Sequence, residues 1–218
     1  MRKLGRTNYD VADQLSNMGM EAIHPKAAKV LRQAEIPLRV TNAFEPGDPG
    51  TLIDDQRAER AAVEIVTGLD IVTLEVFEQD MVGVKGYDAT ILDVLRRHDV
   101  RIVSKVSNAN TITHYLDTSL KTMRRVEKDI AAAYPGAEIT TRTVSVVSAI
   151  GRDLRGLSVL TRGLQAIAKA GHEAIGATQG PRNVDVQYIV DRDSRDAVVK
   201  ALHGALIEGA EAPLAKAA

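Results

Sequence analysis

Residues 72–95 read VTLEVFEQDMVGVKGYDATILDVL, and this stretch decides the fold. Apolar residues alternate with polar ones from Val72 to Val76, which is typical of a half-buried strand. A loop containing Gly83 and Gly86 comes next. Apolar residues then recur at helical spacing. This stripe consists of Ile91, Leu92, Val94 and Leu95. The stretch therefore predicts a strand, a glycine loop and an amphipathic helix.

The pattern continues with two strands, a second helix and a further strand, and the whole series occurs twice. The aligned part of the first copy spans 71–117 and that of the second copy spans 144–191. Asp80–Gly83 in the first copy aligns with Asp153–Gly156 in the second. The order β-α-β-β-α-β is that of the ferredoxin-like motif, with one antiparallel sheet and both helices on one face. The sequence therefore predicts an α+β protein with two such domains in tandem.

The N-terminal residues show a different pattern. Helical periodicity begins at Asp10, and Pro25 is expected to end or kink that helix near His24. A second short helix is expected over Ala27–Gln33, and then a strand over Ile36–Val40. The polar residues 54–59 are expected to form a linker or the start of a connecting helix. A domain boundary is therefore placed near residue 57.

The composition excludes several functions. The chain has 218 residues, 44% of them hydrophobic, and a net charge of −1. No global field is available to attract nucleic acid or an anionic membrane, and no apolar run is long enough for a membrane span. Zero cysteines exclude disulfides and thiolate catalysis. Met1–Arg6 is not followed by the apolar run of a secretory signal. These features favour a cytoplasmic protein.

The sequence shows no catalytic or metal-binding constellation. No two histidines have the spacing of a metal-binding pair on a helix, and no Gly-rich loop ends in Lys-Ser or Lys-Thr. His24 could act as a general base, but a role at a helix terminus is favoured. His98 and His172 occupy equivalent turns of the repeat, which favours a helix C-terminal role over chemistry. We therefore expect no catalytic residue and no metal in this chain.

The loop Gln79–Tyr87 is the strongest candidate for a binding site. It joins a strand to a helix, so backbone N–H groups at the helix N-terminus could bind a small carboxylate. The alternative is that the glycines only shape the turn. The equivalent loop Arg152–Leu157 also contains Gly156, and Gly151 precedes it. The turn Ser107–Asn110 offers side-chain amides, although Asn in such turns most often bonds its own backbone.

Three further segments carry a family resemblance. Residues 19–27, GMEAIHPKA, closely resemble a helix near the end of the kinase domain of aspartokinases. Residues 36–40, IPLRV, and 49–53, PGTLI, resemble the segments that close that domain. The paired units after residue 70 resemble the two ACT domains of the same enzymes. Residues 7–15, TNYDVADQL, resemble the aspartokinases associated with ectoine synthesis.

This resemblance implies a domain organisation. Residues 1–56 would be the C-terminal remnant of an amino-acid kinase domain of α/β type, and 57–70 would connect it to the ACT domains. ACT domain 1 would span 71–135 and ACT domain 2 would span 136–218. In many family members the strand before the first ACT domain, here 63–69, completes the second.

The resemblance also implies an effector site for an amino acid. The implied residues are Asp80, Met81, Gly83, Val84, Lys85, Gly86, Tyr87, Ile102, Val103, Ser107, Asn108 and Ala109. A second possible effector loop contains Asp153, Gly156, Leu157 and Ser158. Lysine-sensitive relatives often carry an acid near position 103. Val103 stands there in this chain, so an ammonium group would lack a partner, and threonine is favoured over lysine.

The motifs that bind nucleotide phosphates in aspartokinases are absent. These enzymes use ATP and Mg²⁺ to phosphorylate the β-carboxylate of L-aspartate, and phosphoryl transfer depends on positioning and electrostatic clamps on the phosphates. We therefore predict that this chain alone is inactive and binds no cofactor. It would be the allosteric, amino-acid-sensing portion of an aspartokinase in the lysine, threonine, methionine or ectoine pathway. The alternative is a structural oligomerisation module with a degenerate effector site. Expected partners are a second copy through the ACT domains and, as a further candidate, a catalytic aspartokinase subunit.

Overall fold

The computed structural model describes residues 4–20, 23–56 and 60–211. The chain divides into two compact units. Unit 1 comprises Met1–Leu69 and Val146–Ala218, and unit 2 comprises Asp70–Ser145. The second ACT domain was expected to start at residue 136, whereas residues 136–145 group with unit 2. The segment interpreted as a kinase-domain remnant groups with unit 1.

The described residues contain nine strands and six α-helices. The strands are β1 Arg6–Asn8, β2 Leu38–Val40, β3 Thr51–Asp54, β4 Ile65–Phe77, β5 Arg101–Ser107, β6 Thr111–Asp117, β7 Glu138–Ile150, β8 Ala174–Gln179 and β9 Asp185–Asp191. The helices are α1 Tyr9–Asn17, α2 Pro25–Gln33, α3 Tyr87–Arg97, α4 Leu120–Ala133, α5 Val159–Lys169 and α6 Arg195–Leu206. Single 3₁₀ turns occupy Gln79–Met81, Arg192–Ser194 and Glu208–Glu211.

Unit 2 has the predicted β-α-β-β-α-β order. Its strands are hydrogen-bonded in the order β5-β6-β4-β7, and β6 is antiparallel to both β4 and β5. The helices α3 and α4 pack their apolar stripes on the sheet, because helical spacing places those residues on one face. Fully or almost fully buried stripe residues are Ile91, Val94, Leu95, Met123, Val126 and Ile130. Leu92 was expected in the stripe of α3, but it is 36% exposed.

Unit 1 contains the second copy of the motif. Its strands are in the order β4-β7-β9-β8, with α5 and α6 contributing to the core. Residues of β7 and β9 alternate into this core, among them Val147, Val186 and Tyr188. The strand expected over 63–69 is the first part of β4, which continues without a break into unit 2. The motif in unit 1 is therefore completed by a strand that precedes unit 2 in the chain.

A small three-stranded sheet in unit 1 is formed by the N-terminal residues. Its order is β1-β3-β2, with β1 parallel and β2 antiparallel to β3. Tyr9, Ala12, Ala28 and Ile53 form its buried cluster. Strand β1 was not predicted, because its residues Arg6–Asn8 are all polar and show no alternation.

The helix boundaries near Pro25 differ from the prediction. Helix α1 ends at Asn17 rather than near His24, and Gly19 comes soon after it with a φ of +83°. A glycine in the left-handed region just after a helix is a strong termination signal. Pro25 begins α2 rather than ending a helix, which suits proline because the first helical N–H has no partner within the helix. Residues 57–59, where the domain boundary was placed, lie outside the described residues.

Candidate functional site

The loop between β4 and α3 is an open turn anchored by one buried side chain. Met81 is 5% exposed, whereas Val84 is 56% exposed. Gly83 and Gly86 have φ angles of +80° and +81°, a region that favours glycine. Apart from the glycine itself and its two chain neighbours, no heavy atom of the described residues lies within 4 Å of the position that a Cβ would occupy at either glycine. The glycines therefore shape the turn, and they also leave open space beside its backbone.

Helix α3 begins at this loop without a side-chain cap. Its N-cap is Gly86, which has no side chain to accept from the first-turn N–H groups. Such groups, together with the helix dipole, favour a negatively charged partner. A helix start of this kind suits a negatively charged ligand, and carboxylate binding at this loop stays a prediction.

A pair of tyrosines fixes the start of α3. The rings of Tyr87 and Tyr134 stack with centroids 3.9 Å apart and an interplanar angle of 11°. The Tyr134 hydroxyl donates to the carbonyl oxygen of Tyr87 at 2.8 Å. Tyr134 lies at the end of α4, so the two helices of unit 2 are joined at this loop. Tyr87 belongs to the site that the family resemblance implies, whereas nothing in the sequence indicated the contribution of Tyr134.

The remaining residues implied for this site lie on β5 and in the turn after it. Val103 is 7% exposed at an irregularity of the β5–β6 register between Ile102 and Ser104. The carboxamide oxygen of Asn108 accepts from the backbone N–H groups of Asn110 at 3.1 Å and Thr111 at 2.9 Å. Asn108 therefore shapes its own turn, as asparagine commonly does. Ser107 and Ala109 are exposed on either side of it.

A polar cluster beside the loop was missed by sequence analysis. Asp88, in the first turn of α3, forms an ion pair with Lys105 of β5. His114 of β6 is fully buried, and its Nε2 lies 3.3 Å from Asp88 Oδ1. Burial lowers the pKa of His114, and Lys105 also lowers it, while Asp88 raises it. The histidine therefore stays neutral in the folded chain near pH 7. Its position in an alternating strand was the one available signal.

The second candidate loop repeats the backbone design of the first. Leu154, the counterpart of Met81, is 1% exposed. Gly156, the counterpart of Gly83, has a φ of +71° and open space at its Cβ position. Helix α5 begins after Ser158, which has a φ of +51° and forms no side-chain cap. Leu157 is half-buried between them.

A polar cleft adjoins this second loop within unit 1. Its volume is about 600 Å³, and Asp153, Arg155 and Arg182 are among its lining residues. The Arg155 side chain donates to Asp153 at 2.9 Å, and this hydrogen bond lowers the pKa of Asp153 to about 2. Arg182 pairs with Asp10 at 2.9 Å. The cleft is therefore lined by charges that already have opposite partners.

The histidines have structural positions. His24 is the N-cap of α2, where its Nδ1 accepts from the Lys26 N–H at 3.3 Å. His98 is the C-cap of α3, and its Nε2 lies 2.9 Å from Asp129 Oδ2. Within 4–20, 23–56 and 60–211 no group of three or more His, Cys, Asp or Glu residues could hold a metal ion. In the same residues, every helix is too short or too polar to cross a membrane.

The duplicated β-α-β-β-α-β fold and its paired strand-to-helix loops define a tandem ACT regulatory region. No family model matches the chain. It is 48% identical over 207 residues to "Aspartate kinase Ask_Ect" of Stutzerimonas stutzeri, a match that covers 94% of the chain and 44% of that relative. The chain thus spans less than half of the relative's length. It belongs to the aspartokinase family and corresponds to its C-terminal portion.

Solved structures show the same fold. Clostridium acetobutylicum aspartate kinase matches with a TM-score of 0.84 and 18% identity, over 94% of this chain and 49% of that one. E. coli aspartokinase III, solved in complex with lysine and aspartate, matches with a TM-score of 0.77 and 16% identity. That match covers 94% of this chain and 47% of the E. coli chain. At these identities the likeness concerns the fold alone.

Proposed function

We propose that this chain is the amino-acid-sensing regulatory portion of an aspartokinase. The whole enzyme would use ATP and Mg²⁺ to phosphorylate the β-carboxylate of L-aspartate, in a pathway that includes ectoine synthesis. One observation carries the proposal. Both motifs build their strand-to-helix loop from a buried apolar anchor, an open glycine at positive φ and a helix start without a side-chain cap. This geometry suits the carboxylate of a free amino acid.

The effector we favour is a small amino acid without a cationic side chain, such as threonine. Val103 supplies no carboxylate where a lysine side chain would need one. Regulation would then depend on the effector binding two states of the attached kinase with different affinities. Coupling of about 1–3 kcal/mol is usual for such effects.

A thermal-shift screen against the twenty amino acids tests this function. A ligand at a hundred times its dissociation constant adds about 2.7 kcal/mol of stability. For a chain of this length that corresponds to a rise in Tm of roughly 5–11 °C. We expect such a rise with threonine and none with lysine. If no amino acid changes Tm and calorimetry detects no heat, the sensor function is wrong.

Two matched variants identify the loop that binds. Gly83→Ala and Gly156→Ala each place a Cβ in open space on a residue with positive φ. Each variant should therefore lose a similar stability, about 1–2 kcal/mol. If the first loop is the effector site, Gly83→Ala weakens binding and Gly156→Ala does not. The reverse result would assign the site to the second loop.

A structural oligomerisation module is the second candidate function. It is favoured by Val103 and by Asn108, whose carboxamide oxygen is engaged by its own turn. This module would dimerise through its ACT domains and would not respond to amino acids. Equilibrium sedimentation with and without amino acids tests it. A monomer at micromolar concentration would exclude this function.

A further inference from the structure

The ion pair between Asp88 and Lys105 lies directly at the start of α3. Asp88 comes after Tyr87, the first residue of the helix, so its side chain belongs to the turn whose N–H groups have no side-chain cap. Lys105 reaches Asp88 Oδ2 from the neighbouring strand β5. Lys105 and His114 are paired in the β5–β6 register, so both side chains lie on the same face of the sheet. Charged groups from α3 and β5 therefore meet above a buried imidazole.

The burial of this cluster is graded from the sheet outwards. His114 is 0% exposed, the Asp88 side chain 28% and the Lys105 side chain 40%. The two ring nitrogens of His114 and Oδ1 of Asp88 are buried without a well-aligned hydrogen bond. Buried polar atoms are usually hydrogen-bonded, and exceptions often mark functional positions. The neutral histidine also leaves the Asp88 charge to be balanced by Lys105.

We propose that the Asp88–Lys105 pair sets the charge selectivity of the effector site, a proposal that rests on the function proposed above. Lys105 supplies from within the chain the ammonium group that a lysine effector would otherwise bring to Asp88. The cationic side chain of a ligand would approach the Asp88 carboxylate, which is already paired, and would be repelled by the Lys105 ammonium. A neutral side chain would have neither of these unfavourable interactions. The site therefore accepts the α-carboxylate of an amino acid at α3 and rejects a second positive charge.

Opposite substitutions in the pair should shift this selectivity in opposite directions. Lys105→Met leaves the Asp88 carboxylate without its cation, so lysine should gain affinity relative to threonine. Asp88→Asn leaves the Lys105 ammonium without its anion, so aspartate should gain affinity relative to threonine. One charge pair at contact distance in water corresponds to about 1 kcal/mol, so each relative gain should be at least about fivefold. Lys105→Arg keeps the charge and should keep the original preference.

Isothermal titration calorimetry with threonine, lysine and aspartate measures these ratios. It is done at pH 8, where His114 is neutral, because a protonated His114 would compete for Asp88. Arg96→Met is the matched control, since it removes the cation of an exposed ion pair with Asp93 on the same helix. Its ratios should equal those of the unmodified chain.

The outcomes separate the two proposals. If the unmodified chain binds an amino acid, and Lys105→Met and Asp88→Asn keep its charge preference, the selectivity inference alone is wrong. If none of the chains binds any amino acid, the proposed function fails and the selectivity inference fails with it. Circular dichroism of each variant establishes that it is folded before titration. Should Lys105→Met not fold, the ratios of Asp88→Asn and Lys105→Arg still decide the inference.

Discussion

Replacing Gly163 with alanine should destabilise unit 1, although alanine is the better helix former. Gly163 lies in α5 against Tyr188, which is fully buried. A Cβ at this position would lie 2.0 Å from Tyr188 Oη and 2.3 Å from Cζ. The Tyr188 hydroxyl donates to the Val159 carbonyl at 2.7 Å, so the ring cannot move away without losing that hydrogen bond. The lack of a side chain at Gly163 therefore leaves the space that the Tyr188 ring occupies.

The expected cost is the sum of three contributions. Overpacking a core costs about 1–3 kcal/mol. A lost buried hydrogen bond adds about 1 kcal/mol. The higher helix propensity of alanine than of glycine offsets about 1 kcal/mol of this cost. Gly163→Ala should therefore lower the free energy of unfolding by about 1–3 kcal/mol, which is a fall in Tm of roughly 2–12 °C.

Gly204 in α6 provides the matched control. It is also a helical glycine of unit 1, but apart from its chain neighbours and the backbone of its own helix, no heavy atom of the described residues lies within 4 Å of its Cβ position. Gly204→Ala should therefore raise the free energy of unfolding by about 0.5–1 kcal/mol. Urea unfolding monitored by far-UV circular dichroism measures both variants. If Gly163→Ala is stabilised as much as Gly204→Ala, the reasoning about close packing at Tyr188 is refuted.

Two further predictions concern buried charges. Burial lowers the pKa of His114 in the folded chain. Below about pH 6.5 the unfolded chain therefore binds more protons than the folded chain does. The free energy of unfolding should consequently fall as the pH drops from about 7.5 to about 5.5. In thermal melts, His114→Leu should weaken the dependence of stability on pH. If that dependence is unchanged, another group takes up the proton. The Glu64 side chain, 7% exposed, accepts from Thr7 at 2.8 Å and from Arg152. Arg152→Met should cost about 1–3 kcal/mol in urea unfolding and Thr7→Val about 0.5–1.5 kcal/mol, and the opposite order would contradict this account.

The sequence predicted the repeated motif because its signals are local. Alternation from Val72 to Val76 and helical spacing from Ile91 to Leu95 each lie within one element, and the core confirms both apart from the exposed Leu92. The glycine loops were recognisable for the same reason. Periodicity identifies which face of an element is buried, and it identifies the ends of that element less well. The full lengths of β4 and β7 were therefore not predicted.

Contacts between distant residues were beyond the reach of these patterns. Nothing in the sequence paired His114 with Asp88 and Lys105. The stacking of Tyr134 on Tyr87 likewise depends on how two helices pack. Pro25 illustrates a different difficulty, because proline both ends helices and begins them. Here Gly19, with its positive φ, already ends α1, so Pro25 begins the next helix.

The two long strands have a consequence for engineering. The chain passes between its units at residues 69–70 and again at 145–146, and each passage falls inside a strand. Neither passage offers a flexible linker as a place to cut. A genetic graft of one unit into another protein would have to carry part of β4 and part of β7, and it would leave the donor with two truncated strands. Genetic recombination should therefore exchange the two units together and not one at a time.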